Sequence, residues 1–154
     1  MTSSGADPAS QAIPASDRNF AMFAHLAGLF VLAHLTFANV IAPLVFYIMA
    51  RNEGKPFTIE HARASLNFQI TFSLFVIVAF MVGFAAVGAG FLVALATAGD
   101  HAVWPPVVLI AVACLLVAVL LLAVTGNVVS CVLGAVAASN GRSFRYPLAI
   151  PFVR

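Results

Sequence analysis

The sequence predicts an all-α membrane protein, a four-helix bundle in which a short helical hairpin is followed by two long transmembrane helices. Of its 154 residues, 63% are apolar and only 8% are charged, whereas soluble proteins carry about 25% charged residues. Residues 72–98 and 107–138 contain no Asp, Glu, Lys or Arg, and about 20 apolar residues suffice to cross a bilayer. The length suits one domain.

Composition divides the chain into three segments. Residues 1–17, rich in Ser, Ala, Pro and Gly, predict a disordered cytoplasmic tail. Residues 18–141 predict the four-helix membrane domain, with helices near 20–33, 39–50, 59–98 and 104–139, and Asn140-Gly141 is a helix stop. Residues 142–154 are basic and aromatic with two prolines, and we expect them to form a cytoplasmic interfacial tail.

The first two helices are short. Each has about 12 to 16 residues, or about 18 to 24 Å, which is less than the hydrocarbon core of about 30 Å. We therefore expect a tight hairpin or a re-entrant pair, and the alternative is one long helix kinked near Pro43.

The distribution of basic residues favours the hairpin. With a hairpin, all seven lie on one side of the bilayer, and His34, Asp100 and His101 lie on the other. The positive-inside rule then places both termini in the cytoplasm, with the protein in the bacterial cytoplasmic (inner) membrane. The seven are Arg18, Arg51, Lys55, Arg63, Arg142, Arg145 and Arg154.

Several polar side chains interrupt the apolar helices. Asn67 has Thr71 one turn later, and Asn127 lies between Thr125 and Ser130. Such groups form hydrogen bonds between helices or line a path for a solute or peptide, and both interpretations stay open. The favoured interpretation of His25 is a satisfied polar group that reaches Asn67, and the alternative is a functional role with a proton or a ligand. The candidate intramembrane residues are His25, Asn67, Gln69, Thr71 and Asn127.

A second group of candidates is interfacial. Arg142, Arg145 and Tyr146 cluster after the last helix, and their basic and aromatic character favours binding to lipid headgroups or docking of a partner. Arg63, three residues after Glu60, is expected to form a local exposed ion pair.

Small residues at four-residue spacing predict close helix contact in the last helix, either within the molecule or between copies. They are Gly126, Ser130, Gly134 and Ala138.

Catalytic, cofactor and metal sites are not indicated. No Cys/His ligand spacing, catalytic triad or Gly-rich phosphate loop occurs. Cys114 and Cys131 lie seventeen residues apart in one helix, about 25 Å, which excludes a disulfide between them. A net charge of +2 gives no reason to expect a nucleic-acid partner.

Short motifs along residues 18–154 carry a family resemblance. In order, they are His25-Leu26-Ala27-Gly28, Ala42-Pro43-Leu44, His61-Ala62-Arg63, Leu66-Asn67-Phe68-Gln69, Asn140-Gly141 and Phe144-Arg145-Tyr146-Pro147. The chain thereby resembles the bacterial Tic-twenty-like family of small membrane proteins, a domain-of-unknown-function family distantly related to a chloroplast inner-envelope translocon component. The resemblance implies a four-helix fold with both termini on one side and no established enzyme activity. His25, Asn67, Gln69 and Tyr146 are motif positions in it.

Three functions remain open. The first is a non-enzymatic assembly, translocon-like or transport-associated subunit, whose partners are the bilayer and another membrane protein or itself. The second is a small oligomeric transporter or channel, which would need a solvated cavity at Asn67 and Asn127. The third is an intramembrane enzyme, which would need His25, His61 and Glu60 around one pocket.

Overall fold

The computed structural model describes residues 13–33, 38–96 and 104–154. Helix α1, Ala15–Leu26, continues into a 3₁₀ segment, Ala27–Ala33, and is followed by α2, Ala38–Glu53. The two long helices are α3, Pro56–Ala96, and α4, Trp104–Ser139. The described ranges contain helices and no strand, which confirms the predicted all-α fold.

Several element boundaries differ from those expected. Residues 1–12 of the predicted tail lie outside the described residues, but residues 15–17 form the first turn of α1. Helix α3 begins at Pro56 rather than at residue 59, since proline fits the first turn of a helix. His34, Asp100 and His101, predicted to lie on the far side of the bilayer, also fall outside the described residues.

The helices form two layers. In the first, α1 packs against both α3 and α4, whereas α2 packs against α3. Apart from Gly83, the buried residues of α3 all lie between Thr58 and Phe72, and those of α4 lie between Asn127 and Ala138. In the second layer, the described remainders of α3 and α4 pack against each other, and much of their outer surface is bare.

The bare surfaces are apolar, as expected of helices that face lipid. The most apolar windows of α3 and α4 have mean hydropathies of 2.6 and 3.5, yet only 11% and 0% of these windows are buried. The core helix of a soluble protein would bury most of such a window. Exposed side chains such as Phe84, at 83%, and Leu122, at 74%, therefore mark a membrane protein.

All seven basic residues of the chain lie at one end of the first layer. Lys55, in the turn between α2 and α3, contacts Asp17 of α1 at 2.8 Å and Glu53 at 3.0 Å. Arg18 lies beside Gly141, just after α4. The hydrogen bond to Asp17 is the main cause that raises the pKa of Lys55. We call the end of the first layer that carries the seven basic residues the charged end.

Contact between the long helices in the second layer depends on glycine. A Cβ atom at Gly83 would lie 2.5 Å from Leu116 Cδ2, whereas a Cβ atom at Gly88 would meet nothing within 4 Å. Gly83→Leu should therefore destabilise the α3–α4 pair by about 1–3 kcal/mol, as overpacking does. The matched Gly88→Leu change, which faces outward, should not destabilise it. Thermal unfolding in detergent measures both, and equal unfolding temperatures would contradict this packing.

Candidate functional site

A stripe of polar side chains runs along the inner face of α3. Its members are three or four residues apart, so they lie on one side of the helix. The first four are buried and the last is half-buried. The last four members, together with partners from α1, α2, α4 and the segment after α4, form what we call the buried network. The stripe consists of Thr58, His61, Ser65, Gln69 and Ser73.

His25 joins three parts of the chain. It is 0% exposed, its Nδ1 lies 2.7 Å from the Tyr146 hydroxyl, and its Nε2 lies 2.7 Å from His61 Nδ1. It thus links α1 to α3 and to the segment after α4. The predicted contact of His25 with Asn67 is wrong, because both ring nitrogens already bond to other residues. Nearby, Ser65 Oγ donates to the Ala24 carbonyl at 2.8 Å, where α1 gives way to the 3₁₀ segment.

The proton positions along the hydrogen-bonded series Tyr146, His25 and His61 are coupled. Burial raises the pKa of the Tyr146 hydroxyl well above its ordinary value, so the phenol keeps its proton. A neutral histidine donates from one ring nitrogen and accepts at the other. If Tyr146 donates to His25 Nδ1, then His25 Nε2 donates to His61 Nδ1. In the opposite tautomers, His61 donates to His25, and His25 donates to Tyr146. His61 Nε2 makes no hydrogen bond, although the backbone of Arg142 lies close by.

Gln69 is the second junction of the buried network. Its Oε1 accepts hydrogen bonds from Asn39 Nδ2 at 3.2 Å and from Asn127 Nδ2 at 3.1 Å, and its Nε2 donates to Cys131 Sγ at 3.3 Å. Asn39 also donates to Ser73 Oγ at 3.0 Å. Gln69 and Asn127 are 0% and 1% exposed, so α2, α3 and α4 meet around amides sealed from the outside.

The end of α4 turns the chain back over the bundle. Gly141 adopts φ +69°, Gly141 N donates to the Ala138 carbonyl, and Arg142 N donates to the Ala137 carbonyl, both at 2.9 Å. This pair of bonds is the Schellman motif, which needs a left-handed residue after the helix. Asn140-Gly141 is thus the helix stop that the sequence predicts. Beyond it, residues 142–154, which we call the C-terminal segment, run along α3.

Side chains of α3 fix the backbone of the C-terminal segment. Asn67 Nδ2 donates to the Val153 carbonyl at 3.0 Å, while Val153 N donates to Asn67 Oδ1 at 2.8 Å. Ile150 N donates to Thr71 Oγ1 at 3.0 Å. The Tyr146 ring stacks on Phe68 with centroids 4.1 Å apart. The segment is therefore docked at three levels of α3, although it has no regular secondary structure.

A basic pocket of about 410 Å³ opens between α3 and the C-terminal segment. The face of α3 that carries Arg63 and Asn67 forms one wall, and the segment from Phe144 to Arg154 forms the other. Glu60 also lines it, but the two ion pairs among the described residues both involve Lys55. The expected ion pair between Glu60 and Arg63 is therefore not formed.

The structure divides the predicted site residues among three places. His25, Gln69, Asn127 and Tyr146 belong to the buried network. Asn67 and Thr71 hold the C-terminal segment, and Asn67 also lines the basic pocket. Arg63 and Arg145 line the basic pocket, and Arg142 is exposed outside it.

Sequence reasoning missed four members of the buried network, and it considered His61 only as a motif residue and as part of a catalytic pocket. The spacing of the α3 stripe was the available signal, since it repeats every three or four residues within a helix. The missed members are Asn39, Ser65, Ser73 and Cys131.

Comparison with models of protein families matches residues 16–153 to the magnetosome magnetite crystal formation protein family, MamF_MmsF. No curated protein and no solved structure matches the chain. The resemblance to the Tic-twenty-like family is therefore wrong. It depended on pieces of two to four residues, and short motifs have a high false-positive risk.

Tyr146→Phe should remove the hydrogen bond to His25 Nδ1 while keeping the stack on Phe68. An unpaired buried polar group costs about 1–3 kcal/mol, so we expect a loss of that size in unfolding free energy. Tyr47→Phe is the matched control. Tyr47 is also buried, at 8% exposed, and its contact with Arg51 is made by the ring, which phenylalanine keeps. Equal losses for the two variants would contradict the role assigned to Tyr146.

Asn67→Leu should release the C-terminal segment, because it removes both bonds to Val153. Hydrogen exchange of residues 147–153 should become faster, while exchange in α4 stays slow. Asn140→Leu is the control, since Asn140 Nδ2 bonds only to the Val136 carbonyl of its own helix. Unchanged exchange in Asn67→Leu would show that other contacts hold the segment.

Proposed function

Because the chain belongs to the magnetosome magnetite crystal formation protein family, we propose that it is a non-enzymatic membrane scaffold for magnetite formation. It would present its charged end as a rigid surface to another membrane protein or to a second copy of itself. Nucleic acid is not among the proposed partners, and no cofactor is needed for this role.

The sealed buried network is the observation that carries the non-enzymatic part of the proposal. Among the described residues, only Arg18 Nε and His61 Nε2 are buried side-chain atoms without a hydrogen-bond partner. Catalytic and binding sites instead present convergent polar groups to a cavity that a substrate can enter. Here the polar groups are used to hold helices together, which supports a structural role.

The order of the charged end supports the scaffold part of the proposal. The C-terminal segment has no helix or strand, yet its backbone N–H groups donate to the side chains of Asn67 and Thr71, and these bonds and the stacking of Tyr146 fix its course. Leu148 even adopts φ +63°, which a non-glycine residue holds only when its surroundings impose it. A surface fixed in advance loses little conformational freedom on binding, which favours recognition of a partner.

The alternative of a small oligomeric transporter or channel has less support. It would need polar side chains that face a water-filled path, but Gln69 and Asn127 are sealed inside the bundle. An enzyme has less support still, because Glu60 lines the basic pocket while His25 and His61 are bonded to each other in the interior. For orientation, we propose that the charged end faces the cytoplasm from the bacterial cytoplasmic membrane, by the positive-inside rule.

A photoreactive residue at Ser143, exposed at the charged end, tests the scaffold role in cells that form magnetite. We expect it to crosslink to one protein or to a second copy of the chain. The matched position is Phe84, 83% exposed on the second layer, and it should yield no such adduct.

Charge reversal at Arg51 and Arg142, both exposed at the charged end, should abolish the Ser143 adduct. We also expect it to reduce the size or number of magnetite crystals seen by electron microscopy. The abundance of the protein in the membrane should stay unchanged, which separates lost contact from lost folding. Normal crystals with an intact adduct, or ion flux through the purified protein in vesicles, would contradict the proposal.

A further inference from the structure

We propose that the basic pocket binds the headgroup of an anionic phospholipid. This inference goes beyond the scaffold role, because the pocket and the partner-facing arginines are different residues and can be changed separately. The pocket volume of about 410 Å³ falls within the range of about 300–1,000 Å³ typical of small-ligand sites.

The charge of the pocket fits an anion. Arg63, Arg145 and Arg154 line it together with one carboxylate, that of Glu60, so its side chains carry a net charge of +2. Neither of the two ion pairs among the described residues involves these arginines. Guanidinium groups without a carboxylate partner are suited to bind phosphate oxygens, because their planar donor sets match phosphate geometry.

The wall formed by the C-terminal segment has two faces of opposite character. Ala149, Pro151 and Val153 line the pocket. The residues that alternate with them are large and apolar and point away from it: Leu148 is 92% exposed, Ile150 52% and Phe152 46%. The segment therefore separates its pocket-lining side chains from its large apolar ones.

The pairing of arginines with exposed apolar side chains identifies the occupant as a lipid. Acyl chains can cover Leu148, Ile150 and Phe152, while a phosphate lies among the arginines a few residues away along the same segment. A free phosphate would leave these apolar side chains in water. The pocket also lies at the charged end, next to the helices that cross the bilayer, where lipid headgroups are found.

Native mass spectrometry of the full chain released from detergent tests this directly. The chain is mixed with equal amounts of cardiolipin, phosphatidylglycerol and phosphatidylcholine. With a net pocket charge of +2, we expect retention in the order cardiolipin, then phosphatidylglycerol, then phosphatidylcholine. Equal retention of all three lipids would overturn the proposal.

Two matched double variants locate the site. Arg145→Gln with Arg154→Gln removes two exposed pocket charges, and Arg51→Gln with Arg142→Gln removes two exposed charges outside the pocket. We expect the pocket variant to bind cardiolipin about fivefold more weakly for each arginine removed, and the other variant to bind like the natural chain. Equal weakening in both would reduce the effect to general charge and overturn the site.

Two further arms distinguish other ligands. Glycerol phosphate and inorganic phosphate should fail to displace cardiolipin at matched concentration, and displacement by either would overturn the lipid assignment in favour of a soluble anion. If the pocket variant keeps its lipid but loses the Ser143 adduct, the pocket is a protein contact and the lipid proposal fails. If it loses the lipid and keeps the adduct, the lipid proposal is supported independently of the scaffold role.

Discussion

A histidine enclosed among apolar helices must find hydrogen-bond partners within the protein, and the partners of His25 come from distant parts of the chain. His61 lies in α3, and Tyr146 lies beyond α4. The two bonds can exist together only when α1, α3 and the C-terminal segment are all in place. Satisfying one buried side chain therefore requires most of the fold, and the rest of the charged end is built on that arrangement.

Small residues make this arrangement sterically feasible. A Cβ atom at Gly134 would lie 2.8 Å from His25 Nδ1, and one at Gly28 would collide with the Gln69 amide. Gly126, two turns before Gly134 on α4, meets nothing within 4 Å. Close approach is thus needed at Gly28 and Gly134, beside the buried network, and is not needed at Gly126. The same logic applies in the second layer, where Gly83 faces Leu116.

The bilayer imposes a second constraint, on length. Helix α3 has 41 residues, which correspond to about 61 Å, against a hydrocarbon core of about 30 Å. The first layer has exposed apolar side chains on α2, such as Ile41 and Ile48, and the second layer contains no Asp, Glu, Lys or Arg over its described length. Upright helices would leave part of this surface outside the lipid, so the bundle must tilt or the bilayer must adapt around it.

The sequence was sufficient for the class of fold and for much of the topology. The uncharged runs and the clustering of basic residues predict two long helices after a hairpin, and Asn140-Gly141 predicts the end of α4. The sequence was not sufficient to predict which distant side chains form hydrogen bonds with each other. Nothing local to His25 distinguishes Tyr146, 121 residues away, from Asn67. Likewise, the role of Asn67 depends on Val153, and that bond depends on the turn at Gly141. The basic pocket forms only when α3 and the C-terminal segment lie side by side, so neither stretch of sequence predicts it alone.

One buried series of hydrogen bonds joins α1, α3 and the C-terminal segment. Nitrogen-15 NMR of the full chain in lipid nanodiscs tests this arrangement by measuring scalar coupling across the bond between His25 Nε2 and His61 Nδ1. We expect a measurable coupling between these two nitrogens, which disappears in His61→Ala. Resolved signals from both rings with no coupling between them would contradict it.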